Sequence, residues 1–219
     1  MSQIFHPSAN TLARISIAVL VIGANLALGG LYGFSGSPYQ TGVKVVRTQP
    51  VPFSHEHHIR GVGVDCRYCH NTVETSASAG LPPTYTCMSC HSQIWGATAM
   101  LEPVRSSLAE NKPISWTRVH DMPDFVYFNH SIHVQKGVGC VSCHGQVDKM
   151  PLAWKAEPMT MAWCLNCHQH PEEHLRDKRD VTRMDLVLSS QEQLAKGREL
   201  VNENHIDSDR LINCSVCHR

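Results

Sequence analysis

The sequence has 219 residues and a mass of 24.4 kDa, with 19 Lys and Arg against 19 Asp and Glu, so its formal net charge is zero and only 17% of it is charged. That balance excludes a nucleic-acid binder, which needs a basic excess or a basic stripe to neutralise phosphates. Aromatic residues make up 6% and apolar residues 42%, a thin supply of core for this length, while ten Cys beside fifteen His point to metal or haem ligation rather than to disulfides.

The first element is apolar. Ile15 to Phe34 is an uncharged run of 20 residues, the length an α-helix needs to cross a bilayer. A cleaved signal peptide normally carries a shorter apolar region of ~7 to 15 residues, so residues 1–36 read as a short cytoplasmic N-terminus and an uncleaved membrane anchor. Arg14 on one flank faces Lys44 and Arg47 on the other, which leaves orientation by positive charge undecided. Gly23, Ala27 and Gly30, with Gly29 and Gly33, permit close helix contact in lipid. The run has no ionisable group, so by itself it does not make a proton-coupled quinone site. Residues 37–52, rich in Gly, Ser and Pro, read as a tether to a domain over 53–219.

That domain opens on a repeat. Phe53-Ser-His55-Glu-His57-His58 followed by Gly-Val-Gly leads to Cys66-Arg-Tyr-Cys69-His70, and Phe128-Asn-His130-Ser-Ile-His133 followed by Gly-Val-Gly leads to Cys140-Val-Ser-Cys143-His144. Each is followed by a second unit, Cys87-Met-Ser-Cys90-His91 in the first copy and Cys164-Leu-Asn-Cys167-His168 in the second. A fifth unit, Cys214-Ser-Val-Cys217-His218, closes the chain. The domain is therefore two dihaem modules, 53–91 and 128–168, and a terminal unit over 205–219.

In a c-type haem site two thiols form thioethers with the porphyrin vinyl groups, and the adjacent His ligates iron from the proximal side. Zinc ribbons or redox dithiols are the alternative for paired cysteines, but five pairs do not group evenly into four-thiolate sites. A His after all five pairs arises by chance with a frequency on the order of one in a million. All ten cysteines are thus used in five covalent haems, with His70, His91, His144, His168 and His218 as proximal ligands. Haem attachment of this kind takes place outside the cytoplasm. The haem domain is therefore expected on the extracytoplasmic, periplasmic side of the inner membrane, with the N-terminus in the cytoplasm.

Histidines three apart on one helical turn project from nearly one face and can serve two haems on either side of the segment. His55, His58, His130 and His133 are accordingly the expected distal ligands, and His120 is the first choice for the fifth. His205, nine residues before Cys214, is its local rival for the last haem. Met159 and Met161 could offer a thioether instead, which would raise that haem's potential, or could simply fill core. His57 reads as a neighbour of the ligands, and His170 and His174 as solvated. Secondary structure is expected to be mostly short α-helices and irregular loops with little β-structure. The best soluble helix runs from Ser189 to Val201 behind a Ser189/Glu192 capping pattern, and a second candidate over Thr98 to Asn111 is broken near Pro103.

The five haem units, the N-terminal span and the phrases RVHDMPDFVYFNHSIHVQKGVGCVSCHG and PMTMAWCLNCHQHPEEHLR resemble the pentahaem cytochrome subunit of alternative complex III, and the Phe-x-His-x-x-His arrangement resembles the wider class III multihaem cytochromes. The resemblance implies an electron-transfer subunit, not itself an enzyme. Its implied partners are an iron-sulfur subunit, integral-membrane quinol-binding subunits and a monohaem cytochrome c or other periplasmic carrier. It further implies electron flow from the quinol side to a periplasmic acceptor in a respiratory chain. Two alternatives stay open at this point, the haem subunit of another multihaem quinol dehydrogenase and a multihaem reductase with one open iron.

Overall fold

The computed structural model describes residues 4–218 and divides into two units, residues 1–43 and 44–219. In the first unit, α1 (Ala9–Ser35) is a 27-residue helix with no buried residue. At about 1.5 Å per residue it is long enough for a hydrocarbon layer of ~30 Å. Its polar groups stay on the helix: the Asn25 amide donates to the Val21 carbonyl at 2.8 Å and the Ser16 hydroxyl to that of Ala13 at 3.0 Å, as a lipid-exposed surface demands. The helix starts six residues before the apolar run because Ala9 to Arg14 contains no breaker. A single helical turn follows, α2 (Pro38–Thr41), closed by Gly42 in the left-handed conformation.

The second unit is a set of short helices and loops. Among the described residues its only β-pairing is two isolated bridges, Val46 with Trp154 and Val138 with Leu175. The helices in order are α3 (Cys66–Cys69), α4 (Thr84–His91), α5 (Glu102–Glu110), α6 (His130–Gln135), α7 (Cys140–His144), α8 (Met161–Gln169), α9 (Ser190–Glu203), α10 (Ser208–Leu211) and α11 (Cys214–Cys217). Residues 57–61 form a π-wound turn in the first module where the second has the α-helical α6.

Two expectations change in detail. The stretch expected as a tether is only partly one: Val46 bridges to Trp154 and Val51 is 5% exposed, packed with Leu101 and Val104. Pro103 does not break the helix over 98–111 but helps to start it, lying in the first turn of α5, where its missing N–H would have no partner in any case. The helix then ends on Asn111 in the left-handed region. The capping box of α9 forms as expected, with the Ser189 hydroxyl accepting from the Glu192 N–H and the Glu192 carboxylate accepting from the Ser189 N–H.

The apolar interior is sparse. Among the described residues the buried apolar side chains are Val51, Leu101, Val104, Met150, Leu175, Val181, Met184 and Leu200. A unit of this length with so small a core needs another source of buried surface.

Candidate haem sites

Each Cys-x-x-Cys pair lies on a helical turn, which sets its two sulfurs on one side and brings the His in at the turn's end. The turns are started by local chemistry. The Asp65 carboxylate accepts from the Arg67 N–H at 2.9 Å, Thr160 caps α8, and Asn213 accepts from the Ser215 N–H at 3.1 Å. In the first and last units the chain then closes back on itself, His70 N–H to Cys66 and His218 N–H to Cys214, both at 2.9 Å.

Four of the five imidazoles that follow the Cys pairs share one arrangement. Nδ1 donates to a backbone carbonyl in His70 (Gly80, 2.8 Å), His91 (Ile94, 3.0 Å), His168 (Leu211, 3.1 Å) and His218 (Phe125, 3.2 Å). A carbonyl can only accept, so each ring carries its proton on Nδ1 and presents Nε2 with a free lone pair. Three of the expected distal residues repeat it: His58 to Ser54 at 2.8 Å, His130 to Ala77 at 2.9 Å and His133 to Asn129 at 2.7 Å. Such a set suits imidazole ligation of iron, because tautomer and ring direction are set before the metal arrives. Gly80 is itself required here: its φ is +76° and a Cβ would stand 2.7 Å from the Thr72 hydroxyl.

Ring separations pair the histidines. Two imidazoles bonded to opposite sides of one metal at about 2.0–2.1 Å each stand roughly 6.3 Å apart between centroids. His58 and His91 are 6.1 Å apart, His133 and His168 6.2 Å, and His130 and His144 6.4 Å. His55 is half-buried, its buried Nδ1 lacks a partner, and its pKa is pushed down to about 4 by burial and then by His70 and His58. Burial, followed by His120, His130, His70 and His55, brings His144 down to about 3. Both shifts favour the neutral imidazole that a metal requires.

The two repeated phenylalanines do the same work twice. Phe53 stacks on His58 (4.3 Å, 25°) and meets His55 edge-on (4.9 Å, 87°), while Phe128 stacks on His133 (4.5 Å, 28°) and meets His130 edge-on (4.7 Å, 89°). Phe-x-His-x-x-His is therefore a three-ring unit, a role for Phe that the sequence signalled by repetition alone.

Burial raises Cys143 to about 12 and Cys167 to about 11, in each case reinforced by neighbouring cysteines, and Cys140 is raised by its hydrogen bond with Cys66 and by burial. Among the described residues no three His, Cys, Asp or Glu side chains converge as a metal cluster of their own. The donor set is that of thioether attachment with imidazole above and below.

Other sequence candidates are placed differently. His120 packs edge-on against His144 at 4.4 Å, nearer than two ligands of one iron stand, and its buried Nε2 has no partner. It is thus a neighbour of the third unit, and the ring against His218 is Phe125 at 5.9 Å. His205 is exposed at the end of α9, and Met161 is 62% exposed. His57 packs on Trp95, a residue unmarked in the sequence, which also stacks on His91 and has φ +56°. His170 is exposed beside Glu172, whereas His174 is half-buried and its pKa is lowered by that burial.

Comparisons with known proteins agree with this chemistry. Residues 132–219 match the cytochrome c3 family. The chain is 31% identical over 183 residues to the multihaem cytochrome c subunit of menaquinone reductase from Nitratidesulfovibrio vulgaris (Hildenborough), covering 79% of this chain and 78% of that one. The haem units, the imidazole geometry and this similarity together place the chain in the family of multihaem c-type cytochrome subunits, carrying covalently bound haem c.

Proposed function

We propose that the chain is a pentahaem electron relay, anchored by α1, that exchanges electrons between a quinone-handling membrane complex and an extracytoplasmic carrier. The observation that carries this reading is the set of three imidazole pairs at 6.1–6.4 Å. These sites are built to saturate iron on both faces, which suits electron transfer and leaves those irons closed to a substrate. The haem held at each site supplies a one-electron couple. The residues attach it, orient its ligands and exclude water.

The ligand assignment follows the separations: His58 with His91, His130 with His144 and His133 with His168. His55 is assigned with His70, which lies close enough to act on its titration, and His218 holds the fifth iron from its proximal side. Orientation follows from haem attachment, which requires residues 53–219 outside the cytoplasm. The expected partners are an iron-sulfur subunit, integral-membrane quinol-binding subunits and a monohaem cytochrome c or similar carrier, as in alternative complex III, with electrons leaving quinol for the periplasm. The N. vulgaris relative favours a second reading: it belongs to a menaquinone reductase, whose name implies the opposite direction. Purified in its native complex, the chain should carry five haems by pyridine haemochrome assay and intact mass. Rapid reduction of those haems by a menaquinol analogue supports the first direction. Haems that stay oxidised with quinol yet reduce quinone when pre-reduced support the second.

A further inference from the structure

We propose that the five haem sites, numbered along the chain, stand in space in the order second, first, third, fourth, fifth. The two modules are then wired together at the junction of the Cys66 and Cys140 units, and the second and fifth sites are the terminals. This rests on the haem reading above and goes beyond it, since the repeat by itself suggests that the sites follow chain order.

Each neighbour relation has its own contact. The first and second units meet through the Tyr68 and Ser89 hydroxyls, 3.3 Å apart. Their two distal histidines, His55 and His58, are on one turn. The first and third units meet where residues 181–182 touch both, at Asp65 beside Cys66 and at Cys140. Residues 181–182 clamp this junction: the Thr182 hydroxyl donates to Asp65 at 3.0 Å, and the Val181 carbonyl accepts from the Cys140 N–H at 2.9 Å.

The modules also exchange arms across it. The Glu56 N–H of the first module donates to the Met150 carbonyl just after the third unit, at 3.2 Å. In return, the His130 and Ser131 N–H groups donate to the Ala77 and Ser76 carbonyls just after the first unit, both at 3.1 Å. His130 and His133, again on one turn, bridge the third and fourth sites. The fourth and fifth are joined by His168 donating to Leu211 and by α10 packing on α8.

The ends are marked independently: of the ten thiols, Cys90 and Cys214 are the exposed ones, and they belong to the second and fifth units. Each step along the series moves one electron from a ferrous to a neighbouring ferric centre, with no bond made or broken. Tunnelling falls steeply with distance, and the first and third attachment segments are the ones this junction holds together.

Two measurements test the order. Iron positions from anomalous scattering or cryo-electron microscopy of the native complex should place the first and third irons as neighbours, with the second beside the first only. A second iron nearer to the third than to the first overturns the proposal. Cys66→Ala and Cys140→Ala each leave one thioether and the proximal His at their site. With haem content and bis-imidazole EPR signals retained, electron equilibration between modules after flash reduction should slow by roughly an order of magnitude. Cys214→Ala at a terminal should leave that rate unchanged. Slowing in Cys214→Ala, or no slowing in the two junction variants, overturns the junction. A native haem count below five would instead sink the pentahaem reading itself.

Discussion

At the scale of single residues, the distal histidines are the points where function is most exposed to substitution. Replacing His130 or His133 by Ala removes one ligand from one iron while the thioethers and the proximal imidazole remain. Each variant should keep its covalent haem by mass and show new carbon monoxide binding in difference spectra. His174→Ala, at a half-buried residue outside the paired rings, should show neither change. Phe128→Leu removes the ring that stacks on His133 at 4.5 Å and meets His130 at 4.7 Å. The ligand planes then turn, so the low-spin EPR g values of two sites should move with haem content unchanged. Asp65 carries a pH dependence. Its carboxyl lies below the ordinary 3.8, first through the hydrogen bond from Arg67 and also through those from the Arg67 N–H and Thr182. A folded value below the unfolded one stabilises the fold above about pH 3.8, and that contribution is lost as pH falls through the folded value. Asp65→Asn should therefore lower stability more at pH 7 than at pH 3, by chemical denaturation at the two pH values. The effect is modest, because the side chain is 45% exposed.

At the scale of elements, α9 has no haem motif and is held by close packing and a few hydrogen bonds. Gly197 faces the Glu172 backbone, and a Cβ there would overlap the Glu172 carbonyl. Gln193 donates to the Leu175 carbonyl at 2.9 Å, and the Lys136 ammonium to that of Asn204 at 2.5 Å. The helix thereby braces the chain leaving the fourth unit against the second distal segment. Gly197→Ala forces backbone apart and should cost about 1–3 kcal/mol in chemical denaturation. Ser189→Ala, which removes only the cap, should cost ~1 kcal/mol. The capping box of α9 was legible because it is a local pattern of four residues. The role of Pro103 was misjudged for an equally local reason: proline breaks a helix interior and favours a first turn, and only the actual start of α5 tells which applies.

At the scale of the whole molecule, anchor and haem unit make separate predictions. The full chain should stay with membranes through carbonate washing, since α1 exposes apolar side chains along its length. A version lacking residues 1–35 and carrying a cleavable export signal should be soluble and haem-loaded. A full-length chain released by the wash, or a truncated one that stays with the membrane, would contradict α1 as the anchor. The haem unit itself should not fold without its cofactors, because eight buried apolar side chains are too few to offset the conformational entropy of so long a chain. Export in a host unable to attach haem should yield degraded or aggregated protein.

The covalent chemistry was determined by sequence alone, because thioether attachment depends on residues within one helical turn: five Cys-x-x-Cys-His units state where haem goes without reference to the fold. The shared Phe-x-His-x-x-His segments were legible for the same reason, since i, i+3 geometry is local. Partner choice between distant segments was not. That His58 stands 6.1 Å from His91, that His120 lies against His144, and that Thr182 reaches Asp65 each depend on how separate loops pack. In a unit with few strands and a sparse core, no periodicity in the chain encodes that packing. The tertiary structure decided it by long-range hydrogen bonds from imidazole Nδ1 to backbone carbonyls, such as His130 to Ala77 and His168 to Leu211, which join residues 53 and 43 positions apart. Contacts at that separation are set by the closure of the whole chain, which is why the order of the haem sites could be read only in three dimensions.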